Sequence, residues 1–377
     1  MTTSPDRVRQ RPCRMETRGA EMLVDGKRVI NFCSNDYLGL SCDPEIKQAL
    51  VEAVDCYGTG AGASQYISGY TEAHRALEQF VIEKTGFEKA ICFANGYMAN
   101  LAVQNVLLER GDHVFIDRLA HASIYDSAIL SRARLHRYPH VDVATLDQQL
   151  EKYAGDRSLV VTDGVFSMDG DIAPLARLEK LAKKHGAGLF VDDAHGLGVL
   201  GKGGRGSVEE CGLDAGVPDL CLATFGKACG VYGAYVAGRG ELIGQLEQKA
   251  RTLIYTTALP PAIAAASRRG LEKALQESWR RDQLNETIGI FREGAAQLSL
   301  PVLPSRTPIQ PVLLYEDRVA VEASRRLFDA GFMVSAIRPP TVPEGRSRLR
   351  ITLSTLHTRP QIDQLLEALD GICKENR

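Results

Sequence analysis

No apolar run in this chain approaches the ~18–20 residues that a membrane span needs, so a helical membrane protein is excluded. Net charge is nearly absent. Lys and Arg number 45 against 47 Asp and Glu, a formal −2, so no global field draws the chain to nucleic acid or an anionic membrane. The nine cysteines (13, 33, 42, 56, 92, 211, 221, 229 and 373) form no C-x-x-C pair and no compact metal-ligand spacing. A metal site and a disulfide scaffold are therefore not expected, and reduced thiols in a cytoplasmic protein are. Internal repeats and low-complexity tracts are missing as well. The opening residues lack the apolar stretch of a secretory signal. They carry Arg7, Arg9, Arg11, Arg14 and Arg18 against Asp6 and Glu16, which reads as a solvated lead-in. The functional alternative is an arm that contacts an anionic substrate.

What the chain does hold is an ordinary globular mixture, 44% hydrophobic and 24% charged, with 35 Gly and 16 Pro. Its 377 residues exceed the ~250–300 at which single cores stop growing. The expected division is an N-terminal segment 1–30, a large α/β domain 31–270 and a smaller C-terminal α+β domain 271–377. Residues 90–94, 114–117, 159–162, 189–192, 219–224 and 234–237 read as buried strands rich in Val, Leu, Ile and Phe. Helical patterns lie between several of them. Asp43-Pro44 opens one helix, Thr71 caps another that ends before Gly86, and a third runs from about 173 to 185 and stops at Gly186. Strands separated by helices imply a mostly parallel sheet covered on both faces, with its site at the carboxyl ends of the strands. Beyond about residue 270 the pattern changes to helical runs 272–298, 318–330 and 360–374 around strands 309–315, 334–337 and 348–353. Those strands suit an antiparallel sheet.

Polar clusters follow three of the predicted strands. Asp192-Asp193-Ala194-His195-Gly196 comes directly after Leu189-Phe190-Val191. An acid ending a buried strand must be paired or placed in a site, because an uncompensated buried carboxylate is costly. Its bland alternative is a loop cap. Ala223-Thr224-Phe225-Gly226-Lys227-Ala228-Cys229-Gly230 sets a lysine among glycine and small apolar residues, the surroundings of a lysine with lowered pKa that forms imines. The alternative is an exposed loop lysine. A phosphate-binding P-loop is ruled out by Cys221 and Ala228. Asn95-Gly96-Tyr97 follows the 90–94 strand and opens a helix, whose amides and dipole suit a phosphate. Gly58-Thr59-Gly60-Ala61-Gly62 follows a helix instead, which argues against a dinucleotide fingerprint. Thr256 and Thr257 add hydroxyl donors ahead of Pro260-Pro261, and His121 lies in the loop after the 114–117 strand. Taken singly, each is weak. In this order on successive strands, a phosphate cradle, a histidine, an acid and a lysine match the needs of pyridoxal phosphate (PLP).

These residues resemble the PLP-dependent α-oxoamine synthases of fold type I, from about Asn31 to the C-terminus. The resemblance rests on Ser34-Asn35-Asp36-Tyr37-Leu38-Gly39, on Asp163-Gly164-Val165-Phe166-Ser167-Met168-Asp169-Gly170-Asp171, and on the acid–histidine and lysine motifs. It implies a fold type I transferase with catalytic roles for Lys227, His121, Asp192 and His195. Lys227 would bond the cofactor, Asp192 pair with its pyridine nitrogen and His121 stack on its ring. His195 and Ser167 would approach its phenolic oxygen. Gly96, Tyr97 and Thr224 would bind the phosphate, with Thr256 and Thr257 reaching from the second subunit of a homodimer whose site lies at the interface. Asn35, Arg338, Arg350 and, by its N-terminal position, Arg9 would bind substrate, Arg350 as the carboxylate clamp. Residues 336–343 and 348–353 are similar to members that join L-alanine to a pimeloyl thioester, carried by CoA or a carrier protein. Acetyl transfer to glycine, another α-oxoamine synthesis, and a non-catalytic module of the same fold are the alternatives. Asp163 departs from the family's usual Glu and Asn95 from its common Ser.

Overall fold

The computed structural model describes residues 11–214 and 216–375. Its chain divides into two compact units. One comprises Leu40–Phe166 and Ile172–Ser278, and the other the described residues up to Gly39, Ser167–Asp171 and Trp279 onward.

The first unit is built on a seven-stranded sheet. Its spatial order is Lys89–Phe93, Ala234–Gly238, Leu220–Thr224, Gly188–Asp192, Ser158–Asp163, His113–Asp117, Arg134–Tyr138. Ala234–Gly238 runs antiparallel to both neighbours, and the other adjacent pairs are parallel. The central strands are buried along their length because helices cover both faces, which explains their unbroken apolar runs. Ile91, Phe93, Val114, Ile116, Val161, Phe190, Leu222 and Val236 form one core face with Ala99, Val103 and Leu107 of helix Gly96–Leu107 and Ile124 of helix Ala122–Ser131. The predicted helix signals act as read. The Asp43 carboxylate accepts from the amides of Glu45 and Ile46, and Gly86 and Gly186 close their helices at φ 79° and 65°. One strand escaped the sequence reading. Arg134–Tyr138 is a half-exposed edge, and its Arg-Leu-His-Arg-Tyr sequence is the charged pattern that edges carry.

The second unit corrects the view of the N-terminus as a solvated lead-in. Arg14–Arg18, Glu21–Val24 and Lys27–Asn31 form an antiparallel meander. Asp25 and Gly26, at φ 47° and 82°, make the tight turn before Lys27. Met22, Val24 and Val29 alternate with charged residues and pack with Phe328 and Met333, so the arginines are the outer face of a sheet. Arg9 lies outside the described residues. An antiparallel sheet, Ile309–Tyr315, Ser347–Thr352, Ser335–Ile337, completes this unit with helices Asp317–Asp329 and Arg359–Glu375. The division falls at 39/40 and 278/279, against the expected 30/31 and 270/271, and the meander joins the C-terminal part.

Candidate active site

Asp117, Asp163, Asp192 and Thr224 are the last residues of four strands that run in the same direction, so all four reach the same edge of the sheet. Asp163 and Asp192 are register partners on neighbouring strands. Asp192 is 5% exposed, and both its oxygens accept hydrogen bonds. Asn100 Nδ2 donates to Oδ2 at 2.7 Å, and the Ala194 N–H donates to Oδ1 at 3.1 Å. The same Asn100 amide donates to Ser123 Oγ at 2.9 Å. Ser123 Oγ lies 2.7 Å from His121 Nδ1, which also accepts the Ser123 N–H at 3.3 Å.

His121 caps helix Ala122–Ser131, and its own backbone N–H donates to Asp163 Oδ2 at 2.9 Å. Partial desolvation, helped by Lys227, holds the imidazole below its ordinary value, while Asp192 and Asp126 pull the other way. Burial and the adjacent Asp192 push the Asp163 carboxyl well above the usual range. Asp193, the next residue along, is 1% exposed and has a different setting. Its Oδ2 accepts the Ser207 N–H at 2.8 Å, and its Oδ1 has no hydrogen-bond partner. Gly164, Gly196 and Gly206 wall it in so closely that a Cβ on any of them would lie within 2.5 Å of the carboxylate. Burial drives this acid up and Ser207 draws it partly back, to about 7. His195 is buried in the turn that follows, where the amides of Gly196 and Leu197 both donate to the Asp193 carbonyl.

Lys227 sits in the loop between the antiparallel strands Leu220–Thr224 and Ala234–Gly238. Phe225 N–H to Gly233 O, Val231 N–H to Phe225 O and Gly230 N–H to Lys227 O, each 2.9 Å, hold that loop rigid. The half-buried ammonium acts on His121, Asp163 and Asp193. After strand Lys89–Phe93, Asn95 Oδ1 accepts the Met98 N–H at 2.9 Å, and the Gly96 and Tyr97 amides of the first turn have no intrahelical acceptor. A Cβ on Gly96 would stand 2.9 Å from Thr224 Cγ2, so only glycine allows this approach. Thr224 Oγ1 is buried there without a partner. Orphaned donors beside an open helix start, with a lysine and an acid on the same edge, fit a phosphorylated pyridine aldehyde such as PLP. Thr256 is half-buried and Thr257 exposed after the short helix Arg251–Ile254. Tyr97 OH donates to the Asp126 carboxylate.

The other unit gathers three further candidates. Arg350, 7% exposed, donates from Nε to Ser167 O at 2.6 Å and from Nη2 to Asn35 Oδ1 at 3.2 Å. Its Nη1 donates to Thr352 Oγ1 at 2.9 Å. Beside Asn35, burial pushes the Tyr37 phenol up to about 12. Arg338 lies beyond the Ser335–Ile337 strand, donating to Ala336 O at 3.1 Å. Sequence reasoning missed Asn100 and Ser123. The available signal was an amide pair, Asn100 and Gln104, four apart on the apolar face of helix Gly96–Leu107.

Comparison with known proteins bears on the whole chain. Residues 27–369 match the family described as aminotransferase class I and II. The 8-amino-7-oxononanoate synthase of Saccharophagus degradans is 49% identical over 372 residues, 98% of this chain and 94% of its own. The chain belongs to the 8-amino-7-oxononanoate synthase family. Solved structures agree on the fold. Serine palmitoyltransferase from S. paucimobilis with bound PLP-myriocin aldimine superposes with a TM-score of 0.94 at 31% identity, covering 97% of this chain and 93% of its own. The 8-amino-7-oxononanoate synthase of Francisella tularensis gives 0.81 at 34% identity, over 92% and 98%. Family membership fits the mostly parallel sheet with its polar strand ends and the antiparallel C-terminal sheet.

Proposed function

We propose that this protein is a PLP-dependent acyltransferase that joins L-alanine to the pimeloyl group of a CoA or carrier-protein thioester. The products are 8-amino-7-oxononanoate, carbon dioxide and the free thiol, a step of biotin biosynthesis. The observation that carries this reading is the buried, unpartnered hydroxyl of Thr224, whose side chain lies against the open first turn at Gly96 on the sheet edge that also bears Asp192.

When bound, PLP supplies an electron sink for negative charge at the amino acid's α-carbon. Lys227 would anchor the cofactor, and its free amine would take the α-proton of the substrate. Asp192 would offer its carboxylate to the pyridine nitrogen and hold a proton there. His121 would pack against the ring, with His195 and Ser167 serving the phenolic oxygen. The amides of Gly96 and Tyr97 and the Thr224 hydroxyl would receive the phosphate. Arg350 holds the substrate carboxylate by its bidentate fork, with Asn35, Arg338 and Arg9 as further substrate contacts. The working unit is a homodimer in which Thr256 and Thr257 serve the phosphate of the second subunit. The exposure of Ile67 (81%) and Tyr255 (72%) supports an apolar face available to a copy. A cytoplasmic setting is supported by the absence of any disulfide among the nine cysteines. Among the described residues, no helix is long and apolar enough to cross a membrane.

Thiol release decides the substrates, measured with alanine and pimeloyl-CoA, alanine and pimeloyl carrier protein, and glycine and acetyl-CoA. Turnover with either alanine pair supports the reading, and product from the glycine pair alone refutes it. Lys227→Ala that still turns over removes the role given to Lys227. Sedimentation of the full chain as a monomer removes the dimer.

A further inference from the structure

Asn100 is 1% exposed, and both its amide hydrogens point into the group at the sheet edge. One reaches Asp192 Oδ2 at 2.7 Å and the other Ser123 Oγ at 2.9 Å. The orientation of the amide is fixed by chemistry, because a carboxylate oxygen only accepts. The rest of the chain then has one direction. Ser123 Oγ accepts from Asn100, so its single hydrogen is left for His121 Nδ1 at 2.7 Å. Nδ1 therefore accepts, and the proton of the neutral ring stands on Nε2. Asp192 at one end and His121 at the other are the groups proposed to meet the pyridine nitrogen and the face of the same ring.

Asn100 Oδ1 is buried and accepts no hydrogen bond. Such an orphan destabilises a fold, so what the side chain contributes lies in its two donated hydrogen bonds. Gln104, one turn on, also leaves its amide oxygen buried without a partner, but its Nε2 donates to the Ile124 carbonyl at 3.0 Å and ties helix to helix, whereas Asn100 reaches the strand end.

We infer that Asn100 is a positioning residue whose two amide hydrogens bind the Asp192 carboxylate to the Ser123–His121 pair, setting both against the cofactor's pyridine ring. The inference rests on the PLP reading above, and its test reads cofactor affinity and not product formation. Full-length protein stripped of PLP by dialysis is titrated with PLP and followed by fluorescence quenching, and the cofactor-free melting temperature is taken in parallel. Asn100→Leu keeps the shape, removes both hydrogens and removes the orphan carbonyl. Its PLP dissociation constant is expected to rise at least tenfold, more than the modest fall in cofactor-free melting temperature from leaving Asp192 Oδ2 without its donor accounts for. A residue that only filled space or braced the helices would lower the melting temperature and leave PLP affinity within twofold of wild type. Ser123→Ala, which breaks the chain one link on, is expected to weaken PLP severalfold, and Ser123→Thr, which restores a hydroxyl, to bind within about twofold of wild type. Should Asn100→Leu not fold, the two Ser123 variants decide. The inference is overturned if Asn100→Leu binds PLP within twofold of wild type, if its affinity falls only in step with its melting temperature, or if Ser123→Ala and Ser123→Thr bind alike. Wild-type protein that fails to bind PLP at all overturns the PLP reading itself, a result distinct from each of these.

Discussion

Asp193→Asn tests the physics of the buried acid beside the site. Asp193 is 1% exposed, has one oxygen without a partner and is walled in by three glycines, so its ionised form is costly in the folded protein. Its folded value is about 7 against an ordinary 3.8. The folded state therefore holds the proton more tightly than the unfolded chain, and stability falls as pH rises from about 4 to about 7. The full loss is about 4 kcal/mol at ~1.36 kcal/mol per pH unit, and more than half of it falls between pH 5 and pH 8. Asparagine keeps an acceptor for the Ser207 N–H and does not titrate. Cofactor-free wild type and variant are melted at pH 5 and pH 8, and the difference of differences is taken, which cancels Asp163 and Glu78, raised in the same sense. The variant should gain about 5–10 °C on wild type between the two pH values, at ~2–4 °C per kcal/mol for a domain of 150–250 residues. A change under about 1 °C refutes the reasoning, because it means that Asp193 is ionised at no unusual cost.

Gly96→Ala places a Cβ 2.9 Å from Thr224 Cγ2, and the strain of about 1–3 kcal/mol should weaken PLP roughly tenfold or more with far-ultraviolet dichroism unchanged. Arg348, 1% exposed, is paired with the Asp169 carboxylate. Arg348→Met leaves that acid without its partner and should cost about 3–5 kcal/mol in urea unfolding, whereas Arg348→Met with Asp169→Leu should recover much of it. Arg350→Lys gives up the planar fork and should raise KM for the amino acid more than it lowers kcat, read from initial rates across alanine concentrations. Because His121 is held below its ordinary value, PLP affinity measured across pH should show no break at about 6.5, only one at lower pH where the ring gains a proton.

The central strands were legible because helices on both faces leave them no reason to alternate, so they appear as bare apolar runs. The N-terminal meander and the Arg134–Tyr138 edge were not. Each buries one face at most, and their arginines dominate the composition while Met22, Val24 and Val29 do the packing. At the site, acids and lysine stood out as polar interruptions at strand ends, the places where a parallel sheet exposes its loops. Asn100 and Ser123 did not, because their significance lies in pairings across 92 and 23 residues. A lone buried amide in a helix looks like any other tolerated polar residue until its partners are known. Asp193 was read together with Asp192 as one motif, and only the packing separates them, one oxygen pair fully bonded and the other caged by glycine.

The N-terminal meander also bears on how the chain is made. Lys27–Asn31 pairs with Phe332–Met333, Ile30 N–H reaches Gly331 O at 2.8 Å, and Thr352 N–H reaches Phe32 O at 2.8 Å. These strands thus wait for some 300 residues of synthesis before their sheet can close. At ~5–20 residues per second that is roughly 15–60 seconds, during which Met22, Val24 and Val29 have no permanent neighbours and the seven-stranded sheet is already emerging. The charged outer face of those strands, with Arg18 and Arg28 paired to Glu16, is then a safeguard for the nascent chain, since charged side chains discourage unpaired edges from joining neighbouring polypeptides until residues 332–333 arrive.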